Sequence, residues 1–379
     1  MLCTVCRLTG GAGGRTPNGQ WSPAQRRTPF PGSMSREPSC EQQEVYWQVK
    51  LTTQQRHALQ RTFGCAPRPE HEDPGQLEAF WGRRWGCADD VSQLRLVLLG
   101  RPAEDDSVFA DGQLDEATGA IVDPDRLWYF YDDDRPDAAA MKRQHDGLAA
   151  TLRAEGVTVE YVETPRDGRC LNALFVRDTA VCVPGGAVIS RMGPLMRRGE
   201  EQRVAARLAA LGVPILRTIH GSGTFEGGSF VLLDAKHAAV GQSCRVNPEG
   251  CRQLSETLSV IGLETIVVPL TGYSLHLDGA MNMVDHGTCV AKPWELPYWF
   301  LERLGELGIR VIEADPADDY LCVNLVTVRP GRVVMAKGSE RTADNLVKAG
   351  VEVVMIEFDE IKKGGGGVHC ATLPLVREW

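Results

Sequence analysis

The sequence predicts an α/β fold built from five repeated units that pack around a common axis. The first observation is that helix-like stretches, with apolar residues at a 3.6-residue period, recur along the chain and end near a glycine. A short β-branched run follows each of these glycines, which are Gly156, Gly212, Gly262, Gly308 and Gly350. The second observation is that paired strand-like runs lie between the helices. One such unit cannot bury both of its faces, so the units must pack together.

An N-terminal extension is expected over residues 1–45. Residues 1–36 contain arginines but no acidic residue, and the first acid is Glu37. This composition fits a disordered tail, a transit-like leader, or upstream sequence ahead of a start at Met34. We expect one α/β domain over residues 46–379, whose first confident strand is Leu94–Gly100.

The other elements follow the repeat in chain order. The apolar period predicts helices over residues 137–154, 199–210, 248–260, 294–306 and 341–348. Each repeat glycine suits the position just after a helix, where a positive φ costs glycine little. Paired strands are predicted at Ala173–Val183 with Ala187–Arg191, Phe230–Leu233 with Ala238–Gly241, Met281–Val284 with Thr288–Ala291, and Leu325–Val328 with Arg332–Ala336. A doubly wound parallel sheet is disfavoured, because no glycine-rich phosphate loop joins a strand to a helix.

Composition limits the classes of function. The 379 residues are 43% hydrophobic and 24% charged, which is usual for a globular protein. A net charge of −9 without a basic stripe argues against a nucleic-acid partner, and no apolar run is long enough to cross a membrane. Twelve irregularly spaced cysteines indicate a reduced compartment. We expect a cytoplasmic protein, unless the N-terminal extension directs it to an organelle.

One position of the repeat carries residues suited to chemistry. It is occupied in turn by Asp178, Glu226, His276, Cys322 and Cys370. Because the units share an axis, these side chains are expected to converge. We expect four of them to form one site and Cys322 to pack in the core.

Cys370 is the candidate nucleophile. The run Gly364–Gly367 precedes it and would let the backbone approach a ligand closely. Lys362, Lys363 and His369 would favour its thiolate. A structural cysteine is the usual alternative, but the glycines and the symmetric partners favour a reactive one.

His276 and Asp278 are the candidate acid–base pair. In a strand, this spacing places both side chains on one face, where an imidazole beside a carboxylate suits proton transfer. Glu226 precedes two glycines that leave room beside it. Asp178 ends an apolar run, where a buried acid is costly unless it is paired. A salt bridge to Arg177 is the alternative explanation for Asp178.

The carboxylates indicate the charge of the substrate. Asp178, Glu226 and Asp278 would repel one another if they clustered without a cation. A guanidinium, with five N–H donors in a planar fork, would satisfy several of them at once. A two-metal carboxylate site is the competing account, but one cysteine and a single histidine fit it poorly. We therefore expect neither a metal nor a cofactor.

Four motifs together resemble the guanidine-modifying enzyme superfamily. They are Phe175-Val-Arg-Asp178, Glu226-Gly-Gly, His276-Leu-Asp278 and Gly-Gly-Gly-Val-His-Cys370, which occur in the family's order within about residues 90–379. The resemblance implies a five-bladed, pseudo-symmetric α/β propeller, the pentein fold. It implies that Cys370 attacks the guanidinium carbon, and that His276 protonates the departing amine and then activates water. Glu226 and Asp178 would hold the guanidinium.

The resemblance also implies how the amino-acid end of the substrate is bound. Asn172 lies where arginine deiminases have an asparagine that contacts this end. Arg197, or its neighbour Arg198, and Arg245 lie where those enzymes keep arginines for the α-carboxylate, a strong bidentate contact. Arg177 is assigned to substrate binding with them.

The choice of substrate depends most on Asp278. Arginine deiminases carry an aspartate two residues after the histidine, whereas dimethylargininases generally do not. Ser229 departs from the deiminase motif in the manner of agmatine deiminases, and Gly365 stands where a further arginine for the carboxylate is expected. We expect a cofactor-free hydrolase that uses a covalent cysteine intermediate to convert arginine to citrulline and ammonia.

Four alternatives stay open. Hydrolysis of dimethylarginine to citrulline and dimethylamine is the nearest, followed by agmatine deimination and by amidino transfer to an amine. The fourth is a non-catalytic propeller that serves as a binding module. We expect a small guanidino amino acid as the partner, with neither nucleic acid nor membrane, and a homodimer stays open.

Overall fold

The computed structural model describes residues 52–60, 74–103, 106–125, 128–131, 134–162 and 170–378. The extension predicted over residues 1–45 lies outside these ranges. The chain divides into two units, Met1–Pro67 and Arg68–Trp379. The described part of the first unit holds the helix Thr53–Gln60, and all elements below belong to the second. The predicted domain of residues 46–379 stays a prediction.

Helices and strands alternate through the second unit. The α-helices are Pro74–Trp81, Ala138–Ala154, Glu200–Leu211, Pro248–Val260, Tyr298–Glu306, Glu340–Lys348 and Asp359–Lys362. The strands of the repeated sheets are β1 Leu94–Gly100, β5 Thr158–Val162, β6 Ala180–Val183, β7 Gly186–Ile189, β8 Ile215–Thr218, β9 Phe230–Leu232, β10 His237–Gln242, β11 Glu264–Pro269, β12 Met281–Asp285, β13 Thr288–Ala291, β14 Arg310–Glu313, β15 Val326–Arg329, β16 Arg332–Ala336, β17 Glu352–Ile356 and β18 Thr372–Arg377. The remaining strands are β2 Gln113–Asp115, β3 Ala120–Val122 and β4 Tyr129–Phe130.

Five three-stranded sheets share one pattern of strand pairing. Their strand orders are β18-β1-β5, β6-β7-β8, β9-β10-β11, β12-β13-β14 and β15-β16-β17. In each sheet the middle strand pairs antiparallel with one neighbour and parallel with the other. A parallel neighbour requires a crossover, and a helix precedes each parallel strand. The predicted mixture of α and β structure in repeated units is confirmed at this level.

The first of these sheets joins the two ends of the second unit. Strand β18, at the C-terminal end, pairs antiparallel with β1, and β1 pairs parallel with β5. The connection from β1 to β5 contains the separate antiparallel sheet β2-β3-β4 and then the helix Ala138–Ala154. Because Cys370 lies directly before β18, this pairing brings the end of the chain back to its first strand.

The predicted helices agree with the observed ones, apart from one start. The helix predicted from residue 294 begins at Tyr298, and a 3-10 turn, Pro293–Glu295, comes before it. Pro297 is the residue that precedes the helix, and proline suits a helix start because its φ is fixed. The repeat glycines have positive φ, from 72° at Gly308 to 96° at Gly350, as predicted for residues just after helices.

The strand predicted over Ala173–Val183 is wrong in its first part. Two 3-10 turns, Leu171–Leu174 and Val176–Thr179, replace it, and only β6 is extended. The backbone N–H of Arg177 donates to the carbonyl of Cys370 at 3.0 Å. This contact between distant parts of the chain replaces the regular pairing that the apolar run suggested.

The strand predicted across His276 and Asp278 is also wrong. His276 is extended, but a 3-10 turn, Leu277–Gly279, follows it. A similar turn, Gly227–Ser229, follows Glu226, so turns of this kind precede β6, β9 and β12. The three turns contact one another in sequence order. They bring the predicted site residues together. The side chains of His276 and Asp278, which were expected on one strand face, have different partners.

Apolar side chains of the helices and sheets form the core. Leu254 and Leu258 of the helix Pro248–Val260 are fully buried in one cluster with Phe230 and Val240 of the neighbouring sheet. Burial of each such leucine stabilises the fold by roughly 1.5–3 kcal/mol. Cys322 lies in another apolar cluster and is 2% exposed, which confirms its predicted place in the core. Within the described ranges, the helices include none with the length and apolarity that a bilayer crossing requires.

Candidate active site

A cavity of about 590 Å³ contains most of the predicted site residues. Asp178, His276, Asp278 and Cys370 line it together with Asn324. Its wall also carries aromatic rings, Phe175, Tyr129 and Tyr131 among them, and the segment 271–275. A cavity of this size is in the range that holds a small-molecule ligand.

Cys370 presents a buried thiol to this cavity. The residue is 6% exposed, and Asn324 Nδ2 donates to its Sγ at 3.1 Å. The Sγ lies 3.6 Å from Asp278 Oδ2. Burial raises the pKa of the Cys370 thiol well above its usual range, and the negative charges of Asp278 and Asp178 raise it further. The thiol is therefore protonated when no cation lies beside it.

The predicted activation of Cys370 by neighbouring cations is wrong, because the pKa shift has the opposite direction. Lys362 forms a salt bridge with Asp319 at 2.8 Å, and Lys363 forms one with Glu360 at 3.1 Å. Each lysine is thus neutralised by an acid of its own.

The glycines before Cys370 make room for protein side chains. A Cβ added at Gly364 or Gly366 would lie 2.7 or 2.5 Å from the ring of Phe175. At Gly365, whose φ is +85°, a Cβ would lie 2.3 Å from the ring of Tyr131. Real Cβ contacts are not this short, so the run lets two aromatic rings pack directly against the backbone that precedes the thiol.

His276 lies between two carboxylates. Its Nε2 is 2.7 Å from Glu226 Oε2, and its Nδ1 is 3.5 Å from Asp178 Oδ1. Burial alone would lower the pKa of His276, but the charges of Asp178 and Glu226 outweigh burial and raise it. The ring is therefore held towards its protonated form.

Glu226 contacts His276 from outside the cavity lining. The residue is fully buried and does not line the cavity. It accepts hydrogen bonds from the backbone of Gly193 at 2.8 Å and from Arg245 Nη1 at 3.0 Å. Burial opposes ionisation, yet the hydrogen bond with His276, aided by the nearby positive charges, lowers the pKa of Glu226 to about 2. Glu226 is a carboxylate that holds the imidazole.

One carboxylate oxygen of Asp178 accepts a hydrogen bond, and the other has no hydrogen-bond donor. Its Oδ2 accepts from Arg197 Nη1 at 2.6 Å. Its Oδ1 is buried and has no hydrogen-bond partner within the described part of the chain. A buried carboxylate oxygen without a hydrogen-bond donor is costly, and the charge of the His276 ring, whose Nδ1 lies 3.5 Å away, offsets part of this cost. Gly228 makes the arrangement possible, because a Cβ there would lie 2.6 Å from that oxygen.

The two arginines predicted to bind a carboxylate line the cavity but have acidic partners. Arg197 is 3% exposed, and its guanidinium contacts Asp178 and both oxygens of Glu200. Arg245 contacts Glu226 and, at 3.4 Å, the hydroxyl of Tyr129. Each arginine thus orients an acid of the site, and its role in binding the substrate stays a prediction.

Asn172 and Arg177 lie outside the cavity lining. The side chain of Asn172 donates to the carbonyl of Tyr129 at 2.8 Å and accepts from its N–H at 3.2 Å. Arg177 Nη2 lies 2.7 Å from His369 Nε2, and the expected salt bridge of Arg177 to Asp178 does not form, because Arg197 takes that place. The location of both residues gives no support to the prediction that they contact the substrate.

Sequence reasoning missed Lys292 and Glu295 of the site and assigned Asn324, together with Cys322, to the core. Asn324 donates to the Cys370 thiol, and its Oδ1 accepts from the Cys370 backbone at 3.2 Å. Lys292 and Glu295 line the cavity and form a 2.7 Å salt bridge. The signal for Asn324 was its place two residues after Cys322, at the repeat position. The spacing of Lys292 and Glu295 indicated only a local pair.

One set of side chains has the arrangement of a metal site. Ligand atoms of Asp178, Glu226 and His276 lie within 4.8 Å of one another. Arg197 and Arg245 already donate to the two carboxylates, and a metal would have to compete with both guanidiniums.

Comparison with known proteins gives the family. The family model described as "N,N dimethylarginine dimethylhydrolase, eukaryotic" matches residues 131–377. The N(G),N(G)-dimethylarginine dimethylaminohydrolase of Pseudomonas aeruginosa is 28% identical over 239 residues, which cover 63% of this chain and 90% of that protein. An arginine deiminase of Listeria monocytogenes is 24% identical over 253 residues, which cover 55% of this chain and 62% of that one.

A solved structure agrees with this match. A cysteine-to-serine variant of the Pseudomonas aeruginosa dimethylaminohydrolase, complexed with citrulline, superposes with a TM-score of 0.61 at 25% identity. The superposition covers 74% of this chain and 99% of that one. The chain belongs to the N,N-dimethylarginine dimethylhydrolase family, among the guanidine-modifying enzymes that its motifs resemble.

Proposed function

We propose that the protein hydrolyses a C–N bond of an arginine-like guanidinium through a covalent intermediate on Cys370. The observation that carries the proposal is that the carboxylate of Asp178 and the thiol of Cys370 line one cavity. A planar cation that donated to this carboxylate would lie beside the nucleophile. It would also supply the positive charge that the site lacks near Cys370.

The first step is the activation of the thiol by the substrate. In the empty site, burial together with Asp278 and Asp178 keeps the pKa of Cys370 high. A bound guanidinium offsets both negative charges, which lowers the pKa of the thiol. The thiol loses its proton to solvent, the thiolate attacks the guanidinium carbon, and the sulfur–carbon bond forms as the C–N π electrons move to nitrogen. The nucleophile is thus generated only when its target is present.

The second step uses His276. Its Nε2 is held by Glu226, while its Nδ1 lies 3.5 Å from Oδ1 of Asp178, the residue whose carboxylate would bind a guanidinium nitrogen. The protonated ring gives its proton to the departing amine as the C–N bond breaks. The neutral ring then removes a proton from water, which attacks the same carbon, and the C–S bond breaks to release a ureido product and the thiol. One histidine thus acts as acid and then as base.

Dimethylarginine is the leading substrate, which would give citrulline and dimethylamine. The family match favours it over arginine. The ring of Phe175, which lines the cavity and packs against the glycines before Cys370, offers an apolar wall for N-methyl groups.

Arginine is the second candidate. It is favoured by Asp278, whose carboxylate is 3.6 Å from the thiol and can claim an unsubstituted nitrogen. Agmatine and amidino transfer rank lower. Arg197 and Arg245 do not decide between arginine and agmatine, because each already has an acidic partner.

Three further expectations belong to this proposal. The five sheets would be blades around a common axis, which the mutual contacts of the 3-10 turns support. A single catalytic domain would cover residues 46–379. The protein would be cytoplasmic and act on a small guanidino amino acid.

The test is product analysis with a substrate panel. Purified protein would be incubated with dimethylarginine, monomethylarginine, arginine, agmatine and guanidino acids, and products identified by mass spectrometry. We expect citrulline with dimethylamine or ammonia from the wild type, and a loss of at least about 10³-fold in Cys370→Ala. Turnover that survives this substitution, or the absence of any ureido product, would exclude the mechanism.

A further inference from the structure

A second histidine lies directly behind the nucleophile. His369 precedes Cys370 in the chain, its side chain is 5% exposed, and it does not line the cavity. Its backbone N–H donates to Asn324 Oδ1 at 3.0 Å. Its Nδ1 lies 2.7 Å from Asp278 Oδ2, and its Nε2 lies 2.7 Å from Arg177 Nη2. The imidazole therefore joins an arginine to the carboxylate beside the thiol.

The arginine determines which nitrogen of His369 carries the proton. A guanidinium has only donors, so the Nε2 that faces Arg177 must accept. The ring is then neutral, with its proton on Nδ1, and this N–H donates to Asp278. Burial lowers the pKa of His369, and the Arg177 charge lowers it further against the effect of Asp278. Arg177, on the far side of the ring, thus fixes Nδ1 as the nitrogen that donates to Asp278.

Asp278 receives this hydrogen bond as a carboxylate. Burial favours its neutral form, but the N–H of His369 holds the pKa of Asp278 below its usual range. The oxygen that accepts from His369 is the same Oδ2 that lies 3.6 Å from Cys370 Sγ. A rotation of this carboxyl group would therefore change its distance from the thiol.

Arg177 has a location that stability alone does not explain. Its side chain is 4% exposed, its Nε has no hydrogen-bond partner in the described ranges, and no acid there lies within salt-bridge distance of it. A buried cation without an acidic partner is costly. Its backbone N–H, meanwhile, donates to the carbonyl of Cys370 at 3.0 Å. The arginine is thus tied to both the nucleophile and the ring of His369.

We propose that His369 and Arg177 are positioning residues that hold Asp278 as an oriented carboxylate beside Cys370. This inference rests on the proposed function of Cys370. Neither residue lines the cavity, so neither is expected to contact the substrate. Their loss should therefore slow the chemical step and leave substrate binding almost unchanged.

Two substitutions at His369 test the hydrogen bond to Asp278 and the contact with Arg177 separately. An asparagine places an amide near the position of Nδ1 and can still donate to Asp278, whereas a glutamine places its amide near Nε2, towards Arg177. We expect His369→Gln to lower kcat about 100-fold with KM changed by less than about threefold, and His369→Asn to keep kcat within about tenfold of the wild type. An equal loss in the two variants would overturn the proposal.

The chain offers a matched control and a coupled variant. His237 contacts Asp234 at 2.9 Å outside the cavity, so His237→Gln breaks a His–Asp pair without an expected effect on kcat. If His369 acts through Asp278, His369→Gln should add less than about threefold to the loss caused by Asp278→Asn. Full additivity of the two losses would contradict the inference.

One measurement needs no turnover and remains informative even if His369→Gln is unstable. In ¹⁵N-histidine-labelled wild type, the resonances that His369→Asn removes should be those of a neutral ring protonated on Nδ1. A ring protonated on Nε2, or on both nitrogens at neutral pH, would overturn the inference. Failure of the proposed function would instead appear as no product from the whole panel, with this tautomer unchanged.

Discussion

Two histidines contact acids of the site, and their other partners give them opposite properties. His276 lies between Glu226 and Asp178, and these carboxylates raise its pKa. His369 contacts Asp278 on one side only, and burial together with Arg177 on the other side lowers its pKa. The same side chain is therefore a cationic acid in one place and a neutral donor in the other.

The difference teaches that burial does not decide the charge of an imidazole by itself. Both rings are almost excluded from solvent, so the cost of desolvation acts on both in the same direction. The pKa values shift in opposite directions because the second neighbour of His276 is an acid, whereas that of His369 is an arginine. We therefore assign proton transfer to His276 and orientation of a carboxylate to His369.

The largest expected effect comes from the same substitution at the two histidines. His276→Asn removes the proton donor to the leaving group and should lower kcat about 10³-fold. His369→Asn keeps a donor to Asp278 and should lower kcat less than about tenfold. Initial rates of amine release from the best substrate of the panel would measure both. Equal losses would break the comparison.

The next effect concerns the acid that holds His276. Glu226→Gln leaves Arg245 and His276 without their buried anion and should reduce the free energy of unfolding by about 3 kcal/mol at neutral pH.

The pH dependence of this effect follows from the lowered pKa of Glu226. A depressed pKa gives stability that is present above the unfolded value near 4.5 and is lost as the pH falls towards about 2. The gap between wild type and variant, measured by urea unfolding, should therefore shrink from pH 5 to pH 3. A gap that is constant over this range would contradict the assignment.

A smaller effect is expected from the glycines of the turns. In Gly228→Ala the new Cβ would lie 2.6 Å from Asp178 Oδ1 and 2.8 Å from His276 Nδ1, so it would separate these atoms. We expect kcat/KM to fall about tenfold or more, with a stability loss of about 1–3 kcal/mol. The matched control is Gly305→Ala in the helix Tyr298–Glu306, outside the cavity lining, where a Cβ meets nothing within 4 Å. Similar kinetics for the two variants would contradict the packing described for His276.

The smallest effect is on the reactivity of the thiol without substrate. Asp278→Asn removes the charge that most raises the pKa of Cys370 after burial, so alkylation by iodoacetamide should begin at lower pH than in the wild type. Asp178→Asn should act in the same direction but less, and Asp234→Asn, remote from the cavity, should have no effect. A shift to higher pH in Asp278→Asn would show that this aspartate does not oppose the thiolate.

The repeated units could be predicted from sequence because their signals are local. An apolar period, a glycine after each helix and a short β-branched run occur together within a few dozen residues, and the helices and hairpins formed where this pattern placed them. The convergence of Asp178, His276 and Cys370 followed from the repeat itself. The pattern is informative because each unit must bury its apolar faces in the same way.

The details of the site could not be predicted because they depend on distant contacts. The run Ala173–Val176 has the composition of a strand, and only its proximity to the segment before β18 explains the 3-10 turns. The partner of Arg177 is likewise set by His369, far along the chain. The pairing of Arg197 with Glu200, three residues away, was a local signal that sequence reasoning did not use.

The most direct test of the central claim is the mass of the covalent intermediate on Cys370. Wild-type protein would be quenched in acid during turnover of dimethylarginine and, separately, of arginine, and the peptide that contains Cys370 would be weighed. Loss of dimethylamine from dimethylarginine and of ammonia from arginine leaves the same thiouronium on sulfur, with the rest of the amino acid still attached, so the account predicts one identical mass increment from these two substrates. Turnover without an adduct at Cys370, or an adduct that keeps the methyl groups, would contradict it.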